Sequence, residues 1–161
     1  MTVAPLVAIE DLPRLLASEA RLLGLDVGTK TIGLALSDVT RSIATPYQTV
    51  RRTKFTQDAK LIAAAIAEHG VGALVIGLPI NLDGSEGPRA QSTRAFARNL
   101  APLVDVPLIF WDERLSTQAV ERHLIEADAT RKRRAEVIDR MAAAYILQGA
   151  LDRLKRLREL R

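Results

Sequence analysis

Residues 21–38 read RLLGLDVGTKTIGLALSD, and they are the most informative part of the chain about its fold. Two apolar runs, 21–27 and 31–36, are joined by a short turn that contains Gly28. Apolar runs separated by a Gly-containing turn are typical of a β-hairpin. Asp26 is the unusual residue, because it lies inside the first apolar run. A charge buried in a strand costs several kcal/mol unless it is paired or binds a metal. We therefore expect Asp26 to be a metal ligand, the alternative being an acid that caps the turn.

The rest of the chain alternates between helical and strand-like patterns. Pro88 is expected to begin a helix, Ser116 to cap one, and Gly70 to end one. The predicted strands are 73–76 and 106–111, with 43–52 as a third or edge strand, and the predicted helices are 55–69, 88–100, 116–127 and about 133 to the end. This order predicts an α/β domain with a mixed five-stranded sheet flanked by helices. The first three strands should be antiparallel, and the later two parallel to the first.

The size and composition of the chain indicate one globular domain. It has 161 residues, of which 48% are hydrophobic and 26% charged. We expect an N-terminal extension over residues 1–20, with one or two helical turns from Asp11, and a single globular domain over residues 21–161. Cysteine is absent, which excludes disulfides and thiolate metal sites. No secretory signal or membrane span is recognisable, so a cytoplasmic location is expected.

Positive charge is concentrated in the last third of the chain. Residues 1–113 hold 11 Lys and Arg against 12 Asp and Glu, whereas residues 114–161 hold 12 against 7. Part of this excess is the tract Arg131-Lys132-Arg133-Arg134. Clustered cations suggest a polyanionic partner, although a solvated helix face remains the alternative.

Three acids occupy positions where acids are out of place, namely Asp26, Glu113 and Asp139. Glu113 follows an apolar strand, and Asp139 lies in an apolar part of the last helix, before Ala142 and Ala143. These small residues would let the helix lie close to the sheet. Three converging carboxylates are tolerable if divalent cations neutralise them, and hard oxygen ligands favour Mg²⁺ or Mn²⁺. Two such ions activate water for phosphodiester cleavage.

Two of these assignments have open alternatives. Asp112 and Glu113 point to opposite faces if the strand continues through them, so either is a candidate for the second ligand. Asp139 is alternatively a partner of Arg140 or Arg134 on the helix surface.

Four ordered motifs resemble the YqgF/RuvX family of pre-16S rRNA nucleases. They are Leu25-Asp26-Val27-Gly28-Thr29-Lys30 with the apolar run that follows, the loop 77–85 with Arg89-Ala90, Asp112-Glu113-Arg114-Leu115-Ser116-Thr117, and 137–143. The resemblance covers about residues 22–151. It implies an RNase H-like fold, a relation to Holliday-junction resolvases, and Asp26, Glu113 and Asp139 as catalytic and metal-binding residues. It also implies a role in maturing the 5′ end of small-subunit rRNA.

Substrate contacts are expected around these acids. A long loop after a parallel strand is a common place for such contacts, although its polar residues are also ordinary turn formers. The family usually has a basic residue at the position of Thr31. This chain has threonine there, and the adjacent Lys30 remains as the candidate phosphate contact. The candidate substrate-binding residues are Lys30, Asn81, Ser85, Arg89, Arg114, Arg131, Lys132, Arg133 and Arg134.

The expected function is therefore a metal-dependent nuclease acting in pre-16S rRNA maturation. The expected partners are structured RNA or branched DNA and a ribosome or pre-ribosome, with no membrane, and the chain is expected to be a monomer or weak homodimer. One alternative is a Holliday-junction resolvase, and another is a non-catalytic nucleic-acid-binding assembly factor. An ATP-dependent phosphotransferase of the actin and sugar-kinase type needs two such domains, and 161 residues supply one.

Overall fold

A single mixed sheet organises the computed structural model, which describes residues 4–115 and 131–160, with the backbone alone for 115 and 131–139. The strand order is β3-β2-β1-β4-β5. β1 pairs antiparallel with β2 and parallel with β4, β2 pairs antiparallel with β3, and β4 pairs parallel with β5. The strands are β1 Arg21–Val27, β2 Thr31–Ser37, β3 Ala44–Arg51, β4 Val71–Leu78 and β5 Leu108–Asp112. The predicted five-stranded sheet and its strand directions are confirmed.

Helices cover both faces of this sheet. They are α1 Phe55–His69, α2 Pro88–Leu100 and α3 Arg131–Glu159, with short 3₁₀ helices at Ile9–Arg14, Ala101–Leu103 and Glu113–Leu115. α1 and α2 begin and end at the predicted residues, whereas α3 begins two residues before its predicted start. Gly70 ends α1 in the left-handed conformation, with φ of 62°. The predicted helix over 116–127 lies outside the described residues.

Alternating side chains of the strands divide the core into two layers. Leu23 and Leu25 of β1 pack with α1 and α2, while Leu22 packs with α3. β4 shows the same alternation, with Leu74 and Ile76 facing one layer and Ala73 and Val75 the other. Successive side chains of a strand point to opposite faces, so fully apolar strands are required when both faces are covered.

Close contact between α3 and β1 depends on Gly24. A Cβ atom on Gly24 would lie 2.8 Å from Cβ of Leu147 and 3.0 Å from the carbonyl oxygen of Ala143. Ala143 is fully buried in this contact, and the neighbouring Ala142 is also buried. The expectation that small residues let the last helix lie close to the sheet is therefore confirmed.

We expect Gly24→Ala to destabilise the protein, because the new methyl group has no space between β1 and α3. Overpacking of this kind costs about 1–3 kcal/mol. Urea unfolding followed by circular dichroism measures the change. An unchanged free energy of unfolding would show that α3 is not held against β1 as the structure has it.

The N-terminal segment packs on the domain at the β5 edge of the sheet. The amide of Leu108 donates to the carbonyl oxygen of Pro5 at 3.0 Å, and the amide of Val7 donates to the carbonyl oxygen of Leu108 at 2.9 Å. Leu12 of the first 3₁₀ helix is fully buried in the α3 layer. The expected helical turn is therefore present from Ile9, two residues earlier than predicted, while the division of the chain at residue 20 stays a prediction. In the described part of the chain, no helix is long and apolar enough to cross a membrane.

Candidate active site at the carboxyl edge of the sheet

The candidate site lies at one edge of the sheet, where β1, β3, β4 and β5 end and β2 begins. This placement follows from the strand directions, because parallel strands have their carboxyl ends at the same edge. Asp26 is the penultimate residue of β1 and pairs with Gly33 of β2. Glu113 opens the 3₁₀ helix that follows β5 directly. Residues 87 positions apart in the chain thus meet at this edge.

The side chains of Asp26 and Glu113 are hydrogen-bonded to each other. A hydrogen bond between two carboxyl groups requires that one of them holds a proton, because an ionised carboxylate only accepts. Both residues are only partly accessible to solvent. The contact therefore favours a protonated carboxyl group in the metal-free protein.

Gly77 near the end of β4 makes room for this pair. A Cβ atom at Gly77 would lie 2.6 Å from Oε1 of Glu113, 3.0 Å from its Cγ and 2.4 Å from Cδ1 of Ile146. Glu113 therefore crosses β4 above Gly77 to reach Asp26 on β1. The sequence analysis missed this role, because nothing in the chain around Gly77 indicates which side chain passes over it.

The environment raises the pKa of Glu113 to about 8. Burial is the main cause, followed by the negative charge of Asp26 and the hydrogen bond between the two side chains, with Asp112 adding to the shift. The positive charge of Arg89 acts in the opposite direction and lowers the pKa. Arg89 is thus electrostatically coupled to the acid pair, from the first turn of α2.

This pKa predicts how the stability of the metal-free protein depends on pH. Between about pH 4.5 and 8 the folded protein keeps a proton on Glu113 that the unfolded chain has lost, so stability falls as pH rises through this range. The loss should be at most about 5 kcal/mol, because one pKa unit corresponds to about 1.4 kcal/mol and the full shift sets the upper limit. Thermal unfolding in EDTA from pH 5 to 8.5 measures it.

Glu113→Gln is the matched variant for this measurement, because it keeps the shape and removes the titration. We expect the difference in stability between the two proteins to grow from pH 5 to 8 in favour of the variant. Parallel pH curves for both proteins would contradict the raised pKa.

The two adjacent acids at the end of β5, Asp112 and Glu113, have separate partners. Nε of Arg114 donates to Oδ2 of Asp112 at 2.8 Å, and this ion pair holds the pKa of Asp112 below its ordinary value. The structure thus places Glu113, and not Asp112, against Asp26. Arg114 was predicted to bind substrate, and in this conformation its guanidinium is engaged by Asp112.

A cleft of about 340 Å³ opens beside the acid pair. Its wall includes the loop between β4 and α2, which is braced by its own side chains. Nδ2 of Asn81 donates to Oγ of Ser85 at 3.1 Å, and Oγ of Ser85 donates to Asp83 at 2.6 Å. The cleft is lined by Pro79, Ile80, Asn81, Leu82, Gly87, Pro88, Arg89, Glu113 and Arg114.

The other predicted site residues are placed as follows. Lys30 is exposed in the turn between β1 and β2, on the other side of Asp26 from the cleft. The backbone of Asp139 belongs to α3, and its side chain lies outside the described residues. The same holds for the side chains of the tract 131–134, so the structure leaves their roles as predictions.

Comparison with known proteins gives a consistent result. The profile of the family described as "RuvX: Holliday junction resolvase" matches residues 20–153. A relative from Paramagnetospirillum magneticum, named "Putative pre-16S rRNA nuclease", is 65% identical over 92% of this chain and 96% of its own length. A relative from Methylocella silvestris with the same name is 57% identical over 96% of each chain.

A solved structure shares the fold. It is that of T. thermophilus RuvC in complex with a Holliday junction substrate, with a TM-score of 0.52 and 13% identity over 84% of this chain and 96% of that chain. The RNase H-like architecture predicted from the sequence is thus confirmed. Because the family profile spans nearly the whole domain and relatives of 57% identity or more match along almost their full length, this chain belongs to the RuvX family.

Proposed function

We propose that this protein is a divalent-metal-dependent nuclease that hydrolyses phosphodiester bonds in precursor 16S rRNA. The observation that carries the proposal is the contact between Asp26 and Glu113 at the carboxyl edge of the sheet. Two carboxylates held together in a partly buried place repel each other when ionised, and nothing in a purely structural role requires that arrangement. Membership of a nuclease family supports the same conclusion.

The donor set fits Mg²⁺ or Mn²⁺. Asp26 and Glu113 offer carboxylate oxygens, which these hard cations prefer, and the raised pKa of Glu113 marks a place where a cation displaces a proton. Asp139 is proposed as the third ligand, because residues 137–143 resemble the last motif of the family and Asp139 is the acid in that motif. When bound, such cations activate water for attack on phosphorus and stabilise the leaving oxygen.

The remaining residues bind and orient the substrate in this proposal. Arg89 faces the acid pair closely enough to change the pKa of Glu113, so it is placed to contact the phosphate next to the scissile bond. Asn81 lines the cleft and is held by the internal hydrogen bonds of its loop, which limits the ordering required on binding. Lys30 is proposed to contact phosphate on the opposite side of Asp26.

The choice of precursor rRNA rests on the relatives, which carry the name pre-16S rRNA nuclease. Branched DNA is the second candidate substrate, and the description of the family as a Holliday junction resolvase supports it. A non-catalytic assembly factor does not explain why two carboxyl groups lie in contact at this edge.

A cleavage assay tests the proposal. Purified protein is incubated with Mg²⁺ or Mn²⁺ and end-labelled precursor 16S fragments, with four-way DNA junctions in parallel. Cleavage of the RNA that EDTA stops supports the proposal. Cleavage of the junctions alone identifies a resolvase, and binding without cleavage of either substrate overturns the nuclease function.

The basic tract 131–134 is proposed to position the substrate. Each phosphate contact made by Lys or Arg contributes about 0.7–0.9 to the dependence of affinity on salt. We therefore expect the double variant Arg133→Ala, Arg134→Ala to bind more weakly across sequences and to flatten the salt slope by about 1–2. A salt titration on one labelled RNA measures this, and an unchanged slope would mean that the tract is only a solvated helix face.

A further inference from the structure

A second group of cations lies at the carboxyl edge of the sheet, on the β2–β3 side of Asp26. We call it the hairpin patch, and it consists of Lys30, Arg51, Arg52 and Lys54. Arg51 is opposite Thr31 in the register of β2 and β3, and the amide of Arg52 donates to the carbonyl oxygen of Lys30 at 2.9 Å. The four residues are therefore neighbours in space, although Lys30 is separated from the others by more than 20 residues in the chain.

Arg52 holds the patch in place. Its Nη1 donates to the carbonyl oxygen of Gly28 at 2.7 Å, and its guanidinium lies 5.4 Å from the centre of the Phe96 ring. The turn that follows Asp26 is thus tied to α2 through one side chain. A guanidinium used in this way is partly buried, so Arg52 is a positioning residue and not a contact residue.

Asp58 fixes the other end of the same segment. Its side chain is 1% exposed, and its Oδ1 accepts a hydrogen bond from the amide of Thr53 at 3.2 Å. The backbone between Arg51 and Lys54 is therefore anchored on both sides. Lys30, Arg51 and Lys54 extend from this anchored backbone and are exposed.

Within residues 27–57, cations outnumber acids by five to one. Asp38 is the only acid between residues 27 and 57, and it follows the end of β2, at the opposite edge of the sheet. Asp58 is buried and engaged with Thr53. The patch is thus a cluster of positive charge beside the acid pair.

We propose that Lys30, Arg51 and Lys54 form a second phosphate-binding surface, so that a nucleic-acid backbone crosses the acid pair between this patch and the cleft at Arg89. The position of the scissile phosphate in this inference rests on the proposed nuclease function. Binding of nucleic acid by the patch does not depend on that function. The tip of the turn lies about three residues beyond Asp26, and at about 3.3 Å per strand residue this is a distance of about 10 Å. The patch therefore contacts phosphates a few nucleotides from the scissile bond and holds the substrate without taking part in the chemistry.

The test measures binding with cleavage disabled. Asp26→Asn serves as the parent, and Arg51→Gln with Lys54→Gln is compared with it on a labelled stem–loop RNA and a four-way DNA junction without metal. Loss of two phosphate contacts should lower the salt slope by about 1.4–1.8. The affinity at about 0.1 M salt should fall at least about tenfold.

Two control variants make the result specific. Lys155→Gln removes an exposed charge from α3 about 24 Å along the helix from the position of Asp139, at 1.5 Å per residue, and should leave the slope unchanged. Arg51→Lys with Lys54→Arg keeps both charges and should retain the slope of the parent. The single variants Arg51→Gln and Lys54→Gln should each give about half of the effect, and they replace the double variant if its unfolding temperature falls.

Failure of the patch and failure of the nuclease function give different results. If the Gln variants bind both ligands with the slope and affinity of the parent, the patch is not a phosphate-binding surface. With Asp26 restored, the double Gln variant should show a raised KM and an unchanged kcat. If the protein with Asp26 cleaves neither ligand while the Gln variants still flatten the salt slope, the patch stands and the nuclease function is overturned.

Discussion

Asp26→Asn is expected to lower cleavage by at least about 1,000-fold, because the amide keeps the shape of the side chain but removes a charge that the proposed cations require. Binding of nucleic acid should be retained, and in the absence of metal it should improve, since one negative charge facing phosphate is lost. Single-turnover cleavage in Mg²⁺ and a binding titration in EDTA measure the two effects separately.

The same variant should be more stable than the parent without metal. Asp26 is one of the causes that raise the pKa of Glu113, so its removal brings that pKa closer to its ordinary value. The unfolding temperature at pH 8 in EDTA should therefore rise, and Mg²⁺ should stabilise the parent more than the variant.

Asp38→Asn is not a suitable control, because Asp38 is tied to its own turn by three hydrogen bonds. Asp152→Asn, at an exposed position on α3, provides the charge-matched control that keeps its activity. A variant at Asp26 that still cleaves, or that is less stable at pH 8, would contradict the assignment.

Gly77→Ala is expected to lower cleavage by about 100-fold, although it replaces no charged residue. The added methyl group would lie 2.6 Å from Oε1 of Glu113 and 2.4 Å from Cδ1 of Ile146, so both side chains must move. A displacement of about 1 Å of a catalytic group is enough for a loss of this size. The variant should also lose about 1–3 kcal/mol of stability through overpacking.

Gly70→Ala is a control that separates the loss of cleavage expected for Gly77→Ala from its loss of stability. Gly70 has a φ of 62° and no neighbour within 4 Å of an added Cβ, so alanine there costs stability through the backbone alone. It lies before β4, at the edge of the sheet opposite the acid pair. We expect this control to lose about 1–2 kcal/mol and to keep its rate of cleavage. If Gly77→Ala cleaves as fast as Gly70→Ala at equal stability, Glu113 is not held by the space above Gly77.

Local patterns predicted most of the elements correctly. The boundaries of α1 and α2 follow from Gly70 and Pro88, because a left-handed cap and a fixed φ act within a few residues of the chain. The apolar runs of β1 and β4 identify strands buried on both faces, and the turn with Gly28 joins β1 to β2. Each of these signals acts between residues that are close in the chain, so it can be recognised in the sequence.

Short-range patterns did not show which of Asp112 and Glu113 faces Asp26. Alternation along a strand assigns the two side chains to opposite faces, but the strand ends at Asp112 and a 3₁₀ helix begins at Glu113. The ion pair of Asp112 with Arg114 and the space above Gly77 then direct Glu113 toward Asp26. Neither of these is visible in the spacing of the residues.

The fold class, the family and the candidate acids can be predicted from the sequence, because hydrophobic periodicity and ordered motifs are properties of the chain. Which of these groups meet depends on the folded structure. It brought Glu113 over Gly77 into contact with Asp26, and it placed Lys30 beside Arg51 and Lys54. The physical reason is that side-chain packing and electrostatic fields depend on distance in space. A β-sheet with crossover connections places residues side by side that are far apart in the chain.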